Sequence, residues 1–320
     1  MKELGFLEQG RIAQQKILED GSLFPTVLLP PSADENPSIG SFLNAIQHNS
    51  EWIDNELNRS GALLFRGFPL KSASDFNGAV EAFGWEEHLY LGLASRTRIE
   101  GRVYTANEAP LDQPIKFHHE MAMFDDFPTK LIFFCEIAPP EGGQTAIVLS
   151  HKITQRMEQI YPELVKKLEE GLIYPCSLPQ EDDPQSFFRG WQSRYETNNR
   201  QEAERKLIMS GVPVSKTTWA DDGRMSFEMG PIVSIRTVDG DADKRKAWFN
   251  PSPALEITPT LGDGSLFPEE AFESSIQIIE EECVEINWEV GDVLVLDNRF
   301  VQHARRPSTP PRRLLAAFCK

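Results

Sequence analysis

Residues 117–124 read Phe117-His118-His119-Glu120-Met121-Ala122-Met123-Phe124. Two imidazoles and a carboxylate sit inside an otherwise apolar run, and burying such groups without partners is costly. On an extended chain, residues i and i+2 share a face. In that register His118 and Glu120 point one way, while Phe117, His119 and Met121 point the other. A His and a Glu converging from one strand supply two of the three ligands of a mononuclear iron site. The third has to come from elsewhere.

The chain has six histidines: His48, His88, His118, His119, His151 and His303. His48 falls in the polar part of a helical stretch, His88 in a charged loop, and His151 at a helix start after Ser150. Each has an ordinary reading. His303 follows Leu296-Asp297-Asn298-Arg299-Phe300-Val301-Gln302, at the mouth of a buried strand where a side chain is aimed into a barrel. His118, Glu120 and His303 are therefore the most economical facial triad. A His-x-Glu tripeptide alone is weak evidence for a metal; its company carries the reading. Arg313 lies beyond the Pro307–Pro311 turn, in a strand able to run beside His303. A guanidinium there is suited to clamp a carboxylate through paired, charge-assisted hydrogen bonds. Alternation sends Arg312 and Arg313 to opposite faces, and Arg312 is expected at a solvated strand edge.

Strand patterns run through 61–68, 102–107, 129–137, 144–148, 288–297 and 312–318. The turn Pro139-Pro140-Glu141-Gly142-Gly143 is expected to join 129–137 and 144–148 as a hairpin-like pair. Helical patterns cover 41–59, a stretch capped by Ser72 or Ser74, 150–171, 201–209, and one from Pro268 with Phe272, Ile276 and Ile279 on one face. Strands clustered at 62–148 and 288–319, with helices before and between, predict a mainly β fold with α decoration: a double-sheet barrel with helical insertions. No repeat or low-complexity linker divides residues 1–320, so one domain is expected. The polar stretch at about 175–285 would be an insertion or lid between early and late barrel strands.

A net charge of −17 argues against nucleic acid or an anionic membrane as partner. The four cysteines (Cys135, Cys176, Cys283, Cys319) are scattered without a C-x-x-C pair, which fits neither a disulfide framework nor a zinc-thiolate site. The opening residues carry acids and no signal-length apolar core. No apolar run reaches membrane-spanning length. A soluble, cytoplasmic protein is expected, with its oligomeric state open.

His118-His119-Glu120-Met121-Ala122, Gly142-Gly143-Gln144-Thr145, Asp297-Asn298-Arg299 with His303, and Arg312-Arg313 together resemble the TauD/TfdA family, within it the clavaminate synthase-like branch. The strand Gly61 to Phe68 extends the likeness, which runs from about residue 60 to the C-terminus. The resemblance implies a jelly-roll (double-stranded β-helix) core and an Fe(II)- and 2-oxoglutarate-dependent dioxygenase. Such an enzyme uses O2 to hydroxylate or desaturate a small organic substrate, releasing succinate and CO2. His118, Glu120 and His303 match the iron ligands, leaving three coordination positions for the keto acid and dioxygen. Arg313 matches the arginine that pairs with the distal carboxylate of 2-oxoglutarate, and Thr145 the hydroxyl that assists it. Glu120 disfavours halogenation, because halogenases resembling this family lack the carboxylate. Ala317 stands where sulfonate-oxidising members carry a second arginine, which disfavours a sulfonate substrate. Asn107, just before the iron strand, is the candidate substrate contact. The alternative is a non-catalytic jelly-roll protein that binds metal and 2-oxoglutarate for sensing.

Overall fold

The computed structural model describes residues 7–31, 37–90, 96–183, 189–238, 244–249 and 259–320. Its architecture follows from strands too apolar to leave either face in water. Ala62–Phe65, Thr145–Leu149 and Val293–Asp297 are buried at every position. Strands of that kind have to be covered on both sides. The chain divides into two compact units: residues 1–120, 128–149 and 282–320, and residues 121–127 and 150–281.

The first unit is a jelly roll with helical decoration. Its larger sheet runs in the order Glu8–Gln9, Thr26–Leu29, Ala62–Phe65, Val293–Asp297, Lys130–Ile137, Arg313–Cys319, Val103–Thr105, Arg98–Glu100. The smaller sheet runs Val284–Ile286, Thr145–Leu149, Val301–Arg305, Ile115–His118. The sheets face each other, and the ring of Phe133 in the larger meets that of His303 in the smaller at 5.3 Å. On the outer face of the larger sheet Ile132, Phe134, Val293, Val295, Leu315 and Ala317 share one apolar core with Phe42, Ile53 and Phe76. Those aromatic and aliphatic groups come from the helices Ile39–His48, Ser50–Ser60 and Ala73–Ala82.

Two local expectations need correction here. The helix read over 41–59 is broken at Asn49, whose side-chain amide donates to the Ala45 carbonyl while its own N–H turns to Ile46. That takes the acceptor the next helical turn would use. The hairpin expected between 129–137 and 144–148 does not form either. Thr145–Leu149 pairs instead with Val284–Ile286 and Val301–Arg305 in the other sheet. Gly142 and Gly143, at φ +70° and +68°, carry the chain across. A Cβ on Gly142 would lie 2.2 Å from the Pro307 carbonyl oxygen, so the crossing needs glycine.

The second unit contains the helices Ser150–Ile160 and Pro162–Leu168 and a sheet of order Val214–Trp219, Met225–Ile232, Leu172–Leu178, Thr260–Leu261. Most of the insertion expected over 175–285 lies here, in a unit that starts earlier, at Ser150. Positions 184–188, 239–243 and 250–258 of that stretch lie outside the described residues, as do residues 1–6 of the opening segment. The helix Glu269–Glu282 turns a different face inward from the one expected. Ala271, Ser275, Ile278 and Ile279 are buried, whereas Phe272 and Ile276 are 41% and 46% exposed. No helix among the described residues is long and apolar enough to cross a membrane.

Candidate metal centre

His118 closes the strand Ile115–His118 and stands directly opposite His303 in the neighbouring strand Val301–Arg305. Their rings lie 4.3 Å apart between centroids. Nδ1 of His118 is 2.8 Å from the Lys116 carbonyl, an acceptor only, so Nδ1 is the donor there and Nε2 is the nitrogen left to a ligand. The Nε2 atoms of His118 and His303 are each 4.0 Å from Oε2 of Glu120. Burial pushes His303 well below its ordinary pKa, and the neighbouring His118, Arg96 and His119 add to this. That imidazole is neutral at pH 7, as a ligand must be.

The donor atoms of His118, Glu120 and His303 all lie within 4.8 Å of one another, the one such triad among the described residues. Two imidazole nitrogens and a carboxylate oxygen at that spacing fit a first-row divalent ion with a small inward movement. The strand argument selects these three, but the strand is shorter than expected. It ends at His118, and Glu120 lies in the turn beyond, followed by Met121 at φ +57°. Asn298 replaces the missing strand partner: its side chain bonds the N–H and the carbonyl of Glu120 at 2.9 and 3.0 Å. His119 points elsewhere, with Nδ1 2.6 Å from the Asn298 carbonyl.

Sequence reasoning overlooks Arg96. Its Nη2 is 2.7 Å from Glu120 Oε2, and the guanidinium lies over the rings of Tyr90 and Phe318 at 4.6 and 5.0 Å. Burial works against the charge, but Glu120 and then Tyr90 outweigh it, so the pKa is raised. Arg96-Thr97-Arg98 has no pattern that would single out its first residue.

The two arginines at the start of the last strand take the opposite of their expected places. Leu315, Ala317 and Cys319 belong to the helix-backed core, and Phe318 lies on the other face, under Arg96. Stepping back by twos from Phe318 puts Leu314 and Arg312 on that inner face. Arg312 is half-buried; desolvation first, then the nearby Arg305, push its pKa down to about 10. Its Nε donates to the Gly143 carbonyl at 3.1 Å. Arg313 is 46% exposed and pairs with Glu136 at 2.9 Å, across a bulge in the strand pairing. Thr145 is buried and accepts a hydrogen bond from Trp288 Nε1 at 3.0 Å. Asn107 gives its side-chain oxygen to Arg305, which also holds the carbonyls of Ala109, Pro110 and Gln113.

The profile of the taurine catabolism dioxygenase TauD, TfdA family matches residues 28–318. A clavaminate synthase-like protein of Arabidopsis thaliana is 44% identical over 100% of both chains. The dapdiamide synthesis protein DdaC of Enterobacter agglomerans is 26% identical over 92% of this chain and 91% of its own. Among solved structures, PvcB from Pseudomonas aeruginosa is similar in fold, with a TM-score of 0.55 at 15% identity over 98% of this chain and 94% of that one.

Proposed function

This chain belongs to the TauD/TfdA family of iron- and 2-oxoglutarate-dependent oxygenases, and from that premise we propose that it hydroxylates or desaturates a small organic substrate at iron held by His118, Glu120 and His303. The observation that carries the assignment is the convergence of two histidine Nε2 atoms on one buried carboxylate oxygen. When bound, iron, 2-oxoglutarate and dioxygen supply the oxidising power, with succinate and CO2 as products.

The chain's own part is to hold and to shield. The Lys116 carbonyl fixes the tautomer of His118. Arg96 holds the Glu120 carboxylate by one oxygen. For the distal carboxylate of 2-oxoglutarate we assign Arg312 rather than Arg313, because Arg312 is on the inner face, is the less exposed of the two and has no carboxylate partner among the described residues. Thr145 is the hydroxyl proposed to assist it. Arg305 brings a buried cation close to Arg312, which suits a dianion. Asn107 remains a candidate substrate contact through its amide N–H groups. The case against a sulfonate is the same in either register, since Ala316 and Ala317 are both alanine.

The test is anaerobic loading with Fe(II), spectroscopic titration with 2-oxoglutarate, then oxygen exposure with assay of succinate. Binding of 2-oxoglutarate and succinate release above background are expected, both lost in His118→Ala and His303→Ala. Tight 2-oxoglutarate binding with no succinate, even uncoupled from substrate, would favour a sensing role instead.

A further inference from the structure

We propose that Asn298 is a positioning residue of this centre: its buried carboxamide fixes the main chain of Glu120 so that the carboxylate meets the two imidazoles. The inference rests on Glu120 being a metal ligand, as proposed above.

Glu120 needs such a device because nothing regular holds it. The strand pairing that aligns His118 with His303 ends at His118. The residue after Glu120 adopts φ +57°, a left-handed conformation that a β-carbon disfavours. Left to itself, this turn would relax and swing the carboxylate away.

Asn298 is 0% exposed and uses its whole polar surface locally. Oδ1 accepts the Glu120 N–H at 2.9 Å, and Nδ2 donates to the carbonyls of Glu120 at 3.0 Å and Pro128 at 2.8 Å. One carboxamide thus does for Glu120 what a neighbouring strand would do, offering an acceptor and a donor in one plane. Its main chain is fixed as well. The Asn298 N–H donates to Thr129 at 2.8 Å, and its carbonyl lies 2.6 Å from His119 Nδ1. Asn298 sits between the strands Val293–Asp297 and Val301–Arg305, so the turn that launches the His303 strand also fixes Glu120. Two ligands distant in sequence share one support.

The chemistry demands asparagine. Aspartate has the same shape but no N–H for the two carbonyls and would set a charge against them. Glutamine is one methylene too long for a packed site.

The test is Co(II) titration of Asn298→Asp, followed by the visible d–d spectrum and by thermal melting. Co(II) binding is expected to weaken by roughly 10–100-fold with an altered band, the usual effect of removing an outer-shell partner. Arg299→Met is the control. It breaks the Arg299 bonds to Asp297 and Asn58 in the same turn without touching Glu120, and should lower the melting temperature while keeping the wild-type Co(II) affinity and spectrum. Wild-type affinity and band in Asn298→Asp would overturn the inference. Should that variant fail to fold, hydrogen exchange at the Glu120 amide of the unaltered, metal-free protein decides instead. Strong protection is expected, and exchange at the rate of an exposed amide would overturn it. If wild type and His118→Ala bind Co(II) equally, the metal centre itself is misassigned.

Discussion

Arg96 sets Nη2 2.7 Å from Oε2 of Glu120, and both side chains are 6% exposed. The same oxygen faces His303, which its surroundings keep uncharged. Without metal, Arg96 is therefore the charge that makes burial of Glu120 tolerable. Breaking a buried pair from one side typically costs about 3–5 kcal/mol. Arg96→Met should destabilise the metal-free protein by about that much in urea unfolding. Saturating Co(II), which supplies the missing positive charge, should restore much of the loss. Equal stability of the two metal-free proteins would show that the pair is not balanced in this way.

Arg312 and Arg313 give a direct comparison. Losing charge-assisted bonds from a guanidinium is worth roughly 1.5–3 kcal/mol, or about 10–100-fold in affinity. Arg312→Met should weaken 2-oxoglutarate binding by that factor. Arg313→Met loses a half-exposed pair with Glu136 and should change 2-oxoglutarate affinity by less than about twofold, with stability altered by at most about 1 kcal/mol. The reverse ranking in a 2-oxoglutarate titration would return the role to Arg313.

His119 meets the site through the Asn298 carbonyl, 2.6 Å from its Nδ1. His119→Ala should weaken Co(II) binding by a few-fold, whereas His118→Ala and His303→Ala should abolish it. Equal loss in all three would mean that His119 is itself a ligand.

Thiol chemistry reports on the core. Burial pushes Cys135 and Cys176 up to about 12 and Cys319 up to about 11. At about pH 8 each holds at most roughly a thousandth of its molecules as thiolate, the reactive form. Cys283 is the half-buried one of the four. Under native conditions a disulfide reagent should therefore titrate about one thiol per chain, and Cys283→Ser should remove it. Four fast-reacting thiols would contradict the packing of both units.

Most of the centre is readable in the chain because histidines are few and a strand has only two faces. His118 and His303 follow from that directly. Glu120 is found by the same alternation although its position depends on a turn and on Asn298, which hydrophobic pattern cannot reveal. The exchange of Arg312 and Arg313 has a simple origin. Alternation gives two faces but not which is inward, and that is decided by Phe318 lying under Arg96. Arg96 itself is invisible, because its role depends on a contact across the fold. The crossing at Gly142-Gly143 is legible as a turn, whereas the sheet it leads to depends on pairing with distant strands. Phe272 and Ile276 look like core by their spacing, and small Ala271 and Ser275 lie against the unit instead.

The register match of His118 with His303 has a consequence for what this chain tolerates in its history. It closes a loop that contains the entire second unit. The entropy of closing a loop rises only logarithmically, by about 0.6 kcal/mol for each doubling of length. Lengthening, trimming or replacing that excursion therefore costs the pairing of the two imidazoles very little. Insertions that would wreck a helix or a strand are nearly neutral here, so the barrel is free to diversify through an appendage while its ligand pair stays in register.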